Sequence, residues 1–357
     1  MKRKLGIGLA LLVVIIGLIA LFGRTWLAER AFQRALDTTV GVDQTAAFAD
    51  GLHLYVCGSG SPMPDANRAG PCLAVLAGNQ AFVFDSGSGS IRKLQRMGFP
   101  MARLRAAFLT HLHSDHIDGL GELLLQAWVA GKRNAPLPVY GPAGTDRVIA
   151  GFRAAYTLDQ GYRVAHHGPK VVQPSGFGGT AQIIALPDGT DSQIIYDQGG
   201  VKITVIRVNH APISPAFGYR IDYKGRAIAL SGDTVYSPSF VAASKGADLM
   251  LHEALNKAMV AALGKKLAER GQANNAQIMT DIQNYHASPE DAARSAKEAG
   301  VKELVLYHLV PAPPARLIEP LFLGRAPEIF ANIRLAEDGM LIHLPAGSKA
   351  VEFTSAW

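Results

Sequence analysis

Thr110-His111-Leu112-His113-Ser114-Asp115-His116 decides how this chain is read. Three imidazoles and one carboxylate fall within residues 111–116, straight after the apolar run Ala106-Ala107-Phe108-Leu109. His111 and His113 alternate with Leu112, so both rings reach one side of an extended loop, while Asp115 and His116 turn towards a second point nearby. Neutral imidazole and carboxylate suit Zn²⁺, and Mn²⁺ or Fe²⁺ also fit the donor set. One metal needs three or four ligands, so others are expected at strand ends further along. Three candidates stand there: His210 after VKITVIRVN, Asp233 at the end of RAIALSGD, and His308 after KELVLY.

Working outward, apolar runs bounded by turn residues predict strands at HLYVCG (53–58), CLAVLAG (72–78), AFVFDSG (81–87) and LPVYG (137–141). Further strands are expected at VKITVIRVN (201–209), FGYRIDY (217–223), RAIALSGD (226–233), DLMLHE (248–253) and ELVLYH (303–308). A helix is expected from near Asp118 to Gly131. Another opens at Ser288 as N-cap, with Pro289 in its first turn and Gly300 after its end. Residues 140–200 read as Gly-rich and irregular. The order is an antiparallel run followed by strands mixed with helices, twice over. It predicts two packed sheets with helices outside.

The combination of this histidine loop with His210, Asp233 and His308 resembles the metallo-β-lactamase superfamily. Within it the ribonuclease Z and arylsulfatase-like branch is most similar, through Asp85 in FDSGSGS, HAPISPAFGYR (210–220), SGDT (231–234), LHEA (251–254) and YHAS (285–288). The resemblance covers roughly residues 52–345. It implies an α+β four-layer αβ/βα sandwich with a dinuclear site. By family pattern His111, His113 and His210 would hold one metal, Asp115, His116 and His308 the second, and Asp233 would bridge them. Two metals about 3.5–4 Å apart generate a bridging hydroxide at neutral pH, which Asp115 would help to orient. Asp85 resembles the family's structural aspartate that hydrogen-bonds the histidine loop. His286, supported by Glu253, resembles the pair that assists the leaving group in ribonuclease Z.

These readings give a dinuclear-zinc hydrolase of phosphodiester or sulfate ester bonds. A β-lactam or lactone hydrolase is one alternative, and a non-catalytic metal-binding protein another. The substrate is expected to be an anionic small molecule or phosphodiester, in keeping with a formal net charge of +6. Processing of tRNA is disfavoured, because only Ile221–Gly225 stands where common bacterial ribonuclease Z enzymes carry a long Gly-rich arm.

The N-terminal sequence bears on where the protein resides. Residues 1–4 form a basic cap, 5–22 (LGIGLALLVVIIGLIALF) a transmembrane anchor, 23–49 a stalk and linker, and 50–357 the hydrolase domain. The basic cap should stay cytoplasmic, leaving the domain periplasmic or extracellular on a single-pass inner-membrane anchor. Secretion after signal cleavage is the alternative. Cys57 and Cys72 read as two buried free thiols in preference to a bridge. Leu255, Met259, Leu263 and Leu267 form a helical apolar stripe for packing, a lid or a homodimer contact.

Overall fold

The computed structural model describes the backbone from Lys2 to Trp357 and the side chains from Leu11 onward. The side chains of the basic cap 1–4 therefore lie outside the described residues. The chain divides into two compact units, Met1–Ala47 and Phe48–Trp357. In the first, one helix runs from Lys2 to Thr39, so the apolar run and the stalk are a single element. Among the described residues it is the one helix long and apolar enough to cross a membrane.

In the second unit, β1 (Gly51–Gly58), β2 (Cys72–Ala77), β3 (Gln80–Phe84), β4 (Leu104–Phe108), β5 (Leu137–Gly141) and β6 (Gly179–Ile183) lie side by side in that order. A second sheet is formed by β7 (Ser192–Gln198), β8 (Val201–His210), β9 (Ile213–Tyr223), β10 (Arg226–Leu230), β11 (Leu249–Leu255), β12 (Glu303–Val310) and β13 (Ile333–Leu335). The closing strands β14 (Met340–Pro345) and β15 (Glu352–Ser355) return to the first sheet beside β1. Each sheet pairs antiparallel over one half and parallel over the other: β3 to β6 are parallel, as are β10 to β13.

Three apolar layers make this a four-layer αβ/βα sandwich. Between the sheets, Phe82, Phe108, Phe217, Tyr219 and Leu251 belong to one buried cluster. A second packs the outer face of the first sheet against the helix Leu120–Val129. The third packs the second sheet against the helix Pro289–Ala299. That last helix starts as its sequence dictates. Ser288 accepts from the Asp291 N–H in a reciprocal capping box, and Gly300 takes the left-handed conformation that ends it.

The structure departs from the sequence-based expectations at several places. Leu255, expected on a helical stripe with Met259, Leu263 and Leu267, ends β11 instead, and the helix starts at Lys257. Residues 141–200 are ordered, with the helix Thr145–His167 followed by β6 and β7; its outer face is polar, which hid its period. The helix expected from near Asp118 to Gly131 is present as Leu120–Val129, but a short turn of helix, Ser114–Ile117, precedes it. Strand β12 does not stop at His308 but continues to Val310. Cys57 and Cys72 form a disulfide across the β1–β2 loop, not two free thiols, because the antiparallel pairing brings the two strand ends together.

Candidate metal centre

The site collects at the C-terminal ends of the parallel and central strands, where side chains distant in sequence converge. The histidine loop leaves β4 and its backbone is pinned by Asp85, which follows β3. Asp85 takes a left-handed φ of 55° and accepts from the Thr110 N–H at 2.9 Å and the Thr110 hydroxyl at 2.8 Å. Its Oδ2 also receives Nδ1–H of His116 at 2.8 Å. The Thr110 hydroxyl in turn lies 3.0 Å from Nδ1 of His111. One buried carboxylate thus orients two imidazoles, directly and through a hydroxyl, and both present Nε2 inward.

His210 ends β8, and its Nδ1 is held 2.9 Å from the Tyr285 carbonyl, so it too presents Nε2. Asp233 follows β10 in the turn Ser231-Gly232-Asp233. Gly232 has φ +61°, and a Cβ there would meet the Phe217 carbonyl at 2.4 Å, so the turn that aims Asp233 requires glycine. His308 reaches the site by a bulge: its φ is 48°, and the β11–β12 register slips beside it.

These elements bring the seven sequence-predicted ligands together. Asp233 Oδ2 lies 3.9 Å from His111 Nε2, 3.3 Å from His116 Nε2, 4.0 Å from His210 Nε2 and 3.3 Å from His308 Nε2. On one side His113 Nδ1 is 2.9 Å from His111 Nε2 and 3.4 Å from His210 Nε2. On the other, Asp115 Oδ2 is 3.2 Å from His308 and 3.5 Å from His116. Donor atoms of His111, His113 and His210 converge, as do those of Asp115, His116 and His308.

The donor set fits cations. His116 Nε2 and Asp233 Oδ1 are buried without a hydrogen-bond partner, which is costly unless something else satisfies them. Burial holds the His111, His113 and His210 imidazoles below their ordinary value, which keeps lone pairs available. His116 is also buried, yet Asp233 and Asp85 push it well up; the same negative field attracts a metal ion. The Asp233 carboxyl stays well below the usual range despite burial, because His308 and His116 face it.

His286 stands beside this cluster, its ring 5.1 Å from that of His210 and 5.6 Å from that of His308. Nδ1 of His286 lies 2.8 Å from Glu253 Oε1, which also accepts from the Thr234 and Ala287 N–H groups. Burial alone would lower the His286 value, but the Glu253 charge and hydrogen bond raise it to about 9. His252 is fully buried against Phe240, outside the ligand cluster. His166 and His167 end an exposed helix. Sequence reading missed the roles of Thr110 and the Tyr285 carbonyl. Both sit next to a named histidine, but neither has a side-chain type that announces the task.

A model of the beta-lactamase superfamily domain matches residues 81–309. Ribonuclease Z of Mycobacterium avium is 35% identical over 299 residues, spanning 83% of this chain and all of the relative. Ribonuclease Z of Mycobacterium bovis is 38% identical over 263 residues, spanning 73% and 87%. Among solved structures, the metallo-beta-lactamase fold protein YhfI of Bacillus subtilis superposes with a TM-score of 0.58 at 25% identity, covering 82% of this chain and 99% of the other. The matched region contains all seven converging donors and the Glu253–His286 pair, and the chain belongs to the beta-lactamase superfamily, in its ribonuclease Z branch, as a metal-dependent hydrolase.

Proposed function

We propose that this chain is a dinuclear zinc phosphodiesterase whose catalytic body is tethered by its N-terminal helix. The observation that carries the reading is the position of Asp233 Oδ2, within 4.0 Å of four imidazole nitrogens from both halves of the cluster. A carboxylate so placed serves two cations better than one. His111, His113 and His210 would hold the first ion, Asp115, His116 and His308 the second, with Asp233 shared. The imidazole-rich donors favour zinc. When bound, such ions supply Lewis acidity and a nucleophilic water at neutral pH.

The chain's own residues do the rest. Asp115 lines the pocket and orients the attacking water through its carboxylate. His286 also lines it, with Nδ1–H committed to Glu253. The Glu253 charge and hydrogen bond favour the imidazolium form of His286, whose Nε2–H can then pass a proton to the departing ester oxygen. An alkoxide leaving group needs that proton, which favours a phosphodiester over a strained lactam or lactone ring. The test is a panel of bis(4-nitrophenyl) phosphate, 4-nitrophenyl sulfate, a lactone and a chromogenic β-lactam on the zinc-loaded chain. Turnover of the phosphodiester above the others supports the reading. Faster sulfate or lactam turnover overturns it, and no turnover of any favours a non-catalytic metal protein.

Transfer RNA stays outside this proposal. Strands β9 and β10 are joined by Lys224-Gly225 alone, with no arm between them. The anchor reading draws on the apolar helix Lys2–Thr39. The Cys57–Cys72 bridge suits an oxidising compartment, periplasmic or extracellular. Fractionation tests this: the full chain should pellet with membranes and resist salt extraction. Its body should be open to protease from the outer side. A mature chain lacking the apolar run would instead show secretion after cleavage.

A further inference from the structure

The pocket above the candidate ligands has a volume of about 660 Å³, and its lining divides sharply. The floor is His113, Asp115, Asp233, His286 and His308. The walls are mostly apolar: Met63 from the β1–β2 loop, Leu263 from the helix Lys257–Glu269, and Ile278 and Met279 from the helix Ala273–Asp281, which also contributes the amide of Asn275. No lysine or arginine lines it among the described residues. A second cleft of about 390 Å³ shares Met63, Pro64 and Leu263 with the first and continues past Met259 and Ile318. Asp65 is its one charged lining residue. An apolar track therefore leads away from the ligand cluster.

Among the residues that line these two clefts, positive charge is confined to the floor; a basic cleft with Arg68, Lys93, Arg96 and Arg316 meets the track only at Asp65 and Pro314. A polynucleotide carries phosphates at regular spacing, and its binding depends on several Lys or Arg contacts along its length. This track offers none. It suits a substrate with one phosphate at the floor and an apolar group beyond it. The walls are preformed, because Met63, Met279 and Ile282 pack on the buried residues Leu255, Val260 and Val310. Leu263 and Ile278 stay 37% and 50% exposed at the rim, an apolar surface with no structural task of its own.

We infer that the substrate is a phosphodiester whose retained ester arm is apolar, an alkyl group of roughly six carbons or more, seated against Met63, Leu263, Ile278 and Met279. This rests on the phosphodiesterase reading. The step is hydrolysis: water adds to phosphorus, the bond to the leaving oxygen breaks, the leaving oxygen takes a proton, and a monoester remains.

The experiment uses the zinc-loaded full chain in one fixed concentration of a maltoside detergent. It compares hexyl, methyl and thymidine 5′-esters of 4-nitrophenyl phosphate. Each buried methylene is worth about fourfold, so hexyl should exceed methyl by at least about 30-fold in kcat/KM, mostly through KM. Ile278→Asn and Leu263→Asn should cut that hexyl-to-methyl ratio about fivefold or more; both positions are partly exposed, so the fold tolerates them. Equal rates for hexyl and methyl, or a preference for the thymidine arm, overturns the apolar-arm inference and leaves the phosphodiesterase standing. A hexyl preference that neither variant reduces also overturns the assigned track. Hydrolysis of none of the three esters overturns the phosphodiesterase reading and this inference with it.

Discussion

The floor and the wall of the pocket are built in opposite ways. The candidate ligands at and beneath the floor sit at or just after strand ends, and His111, His116, His210, Asp233 and His308 are no more than 2% exposed. Their orientations are set by Asp85, Thr110 and the Tyr285 carbonyl. The wall is a hairpin of two helices carrying half-exposed Leu263 and Ile278 and only a small buried cluster behind it. The sheet ends can fix chemistry because neighbouring strands hold them rigidly. A helical hairpin on the rim can change its side chains without disturbing that geometry, so choice of substrate belongs there.

The largest effect should follow from the residue shared by both halves of the floor. Asp233→Ala should bind fewer than two zinc ions and lose about 10⁴-fold in phosphodiester turnover. His116→Ala should lose chiefly one ion, read by metal analysis of the purified protein. If both variants keep two ions, the division of ligands is wrong.

Next comes the acid. His286→Ala should cost about 10² to 10⁴-fold on a dialkyl phosphodiester and much less on a nitrophenyl ester, whose leaving group departs unprotonated. Metal content should not change. Glu253→Gln should follow the same pattern more weakly, since Glu253 only orients and charges the imidazole. Equal losses on both esters would remove His286 from proton transfer.

Smaller still is the support beneath the floor. Asp85→Asn leaves every ligand in place but weakens the hold on His116 and Thr110. Zinc affinity should drop about 10- to 100-fold, measured by competition with a chelator. An unchanged affinity would mean that the loop is rigid without it.

Least effect on turnover is expected at the far end of the second sheet. Asp248, just before β11, pairs with buried Arg226 at 2.9 Å and with Lys302 at 2.5 Å. Burial opposes its charge, but Lys302, the Ala227 N–H and Arg226 hold its carboxyl below the ordinary value. A depressed folded value means that its stabilisation is complete above the unfolded value, near pH 4. It is lost as pH falls through the folded one. Asp248→Asn should destabilise the fold by about 3 kcal/mol at neutral pH and flatten the acid limb of stability below about pH 4. Denaturant unfolding across pH checks both. A steep acid limb retained in the variant would assign it to other carboxylates.

The same contrast explains what was legible in the sequence. Metal chemistry restricts residue type and spacing, so His111, His113, Asp115 and His116 announce themselves, and His210 and Asp233 follow at strand ends. His308 was visible as a residue but not as a bulge, because a left-handed φ at a histidine leaves no mark in composition. Met259, Leu263 and Leu267 read as a helical stripe and lie on the helix Lys257–Glu269, though Leu255 ends β11 instead; whether a helix covers core or pocket depends on tertiary placement. The partner helix Ala273–Asp281 has no side-chain cap and no buried residue, and so gave no signal. The Cys57–Cys72 bridge depended on the β1–β2 register, which spacing alone does not reveal.

The most direct test of the central claim is a zinc titration of the chelator-stripped full chain, following turnover of bis(4-nitrophenyl) phosphate. Activity should rise with added zinc and level off at two equivalents per chain, with two ions retained after desalting. Full activity at one equivalent, or turnover by the metal-free chain, would contradict a dinuclear phosphodiesterase.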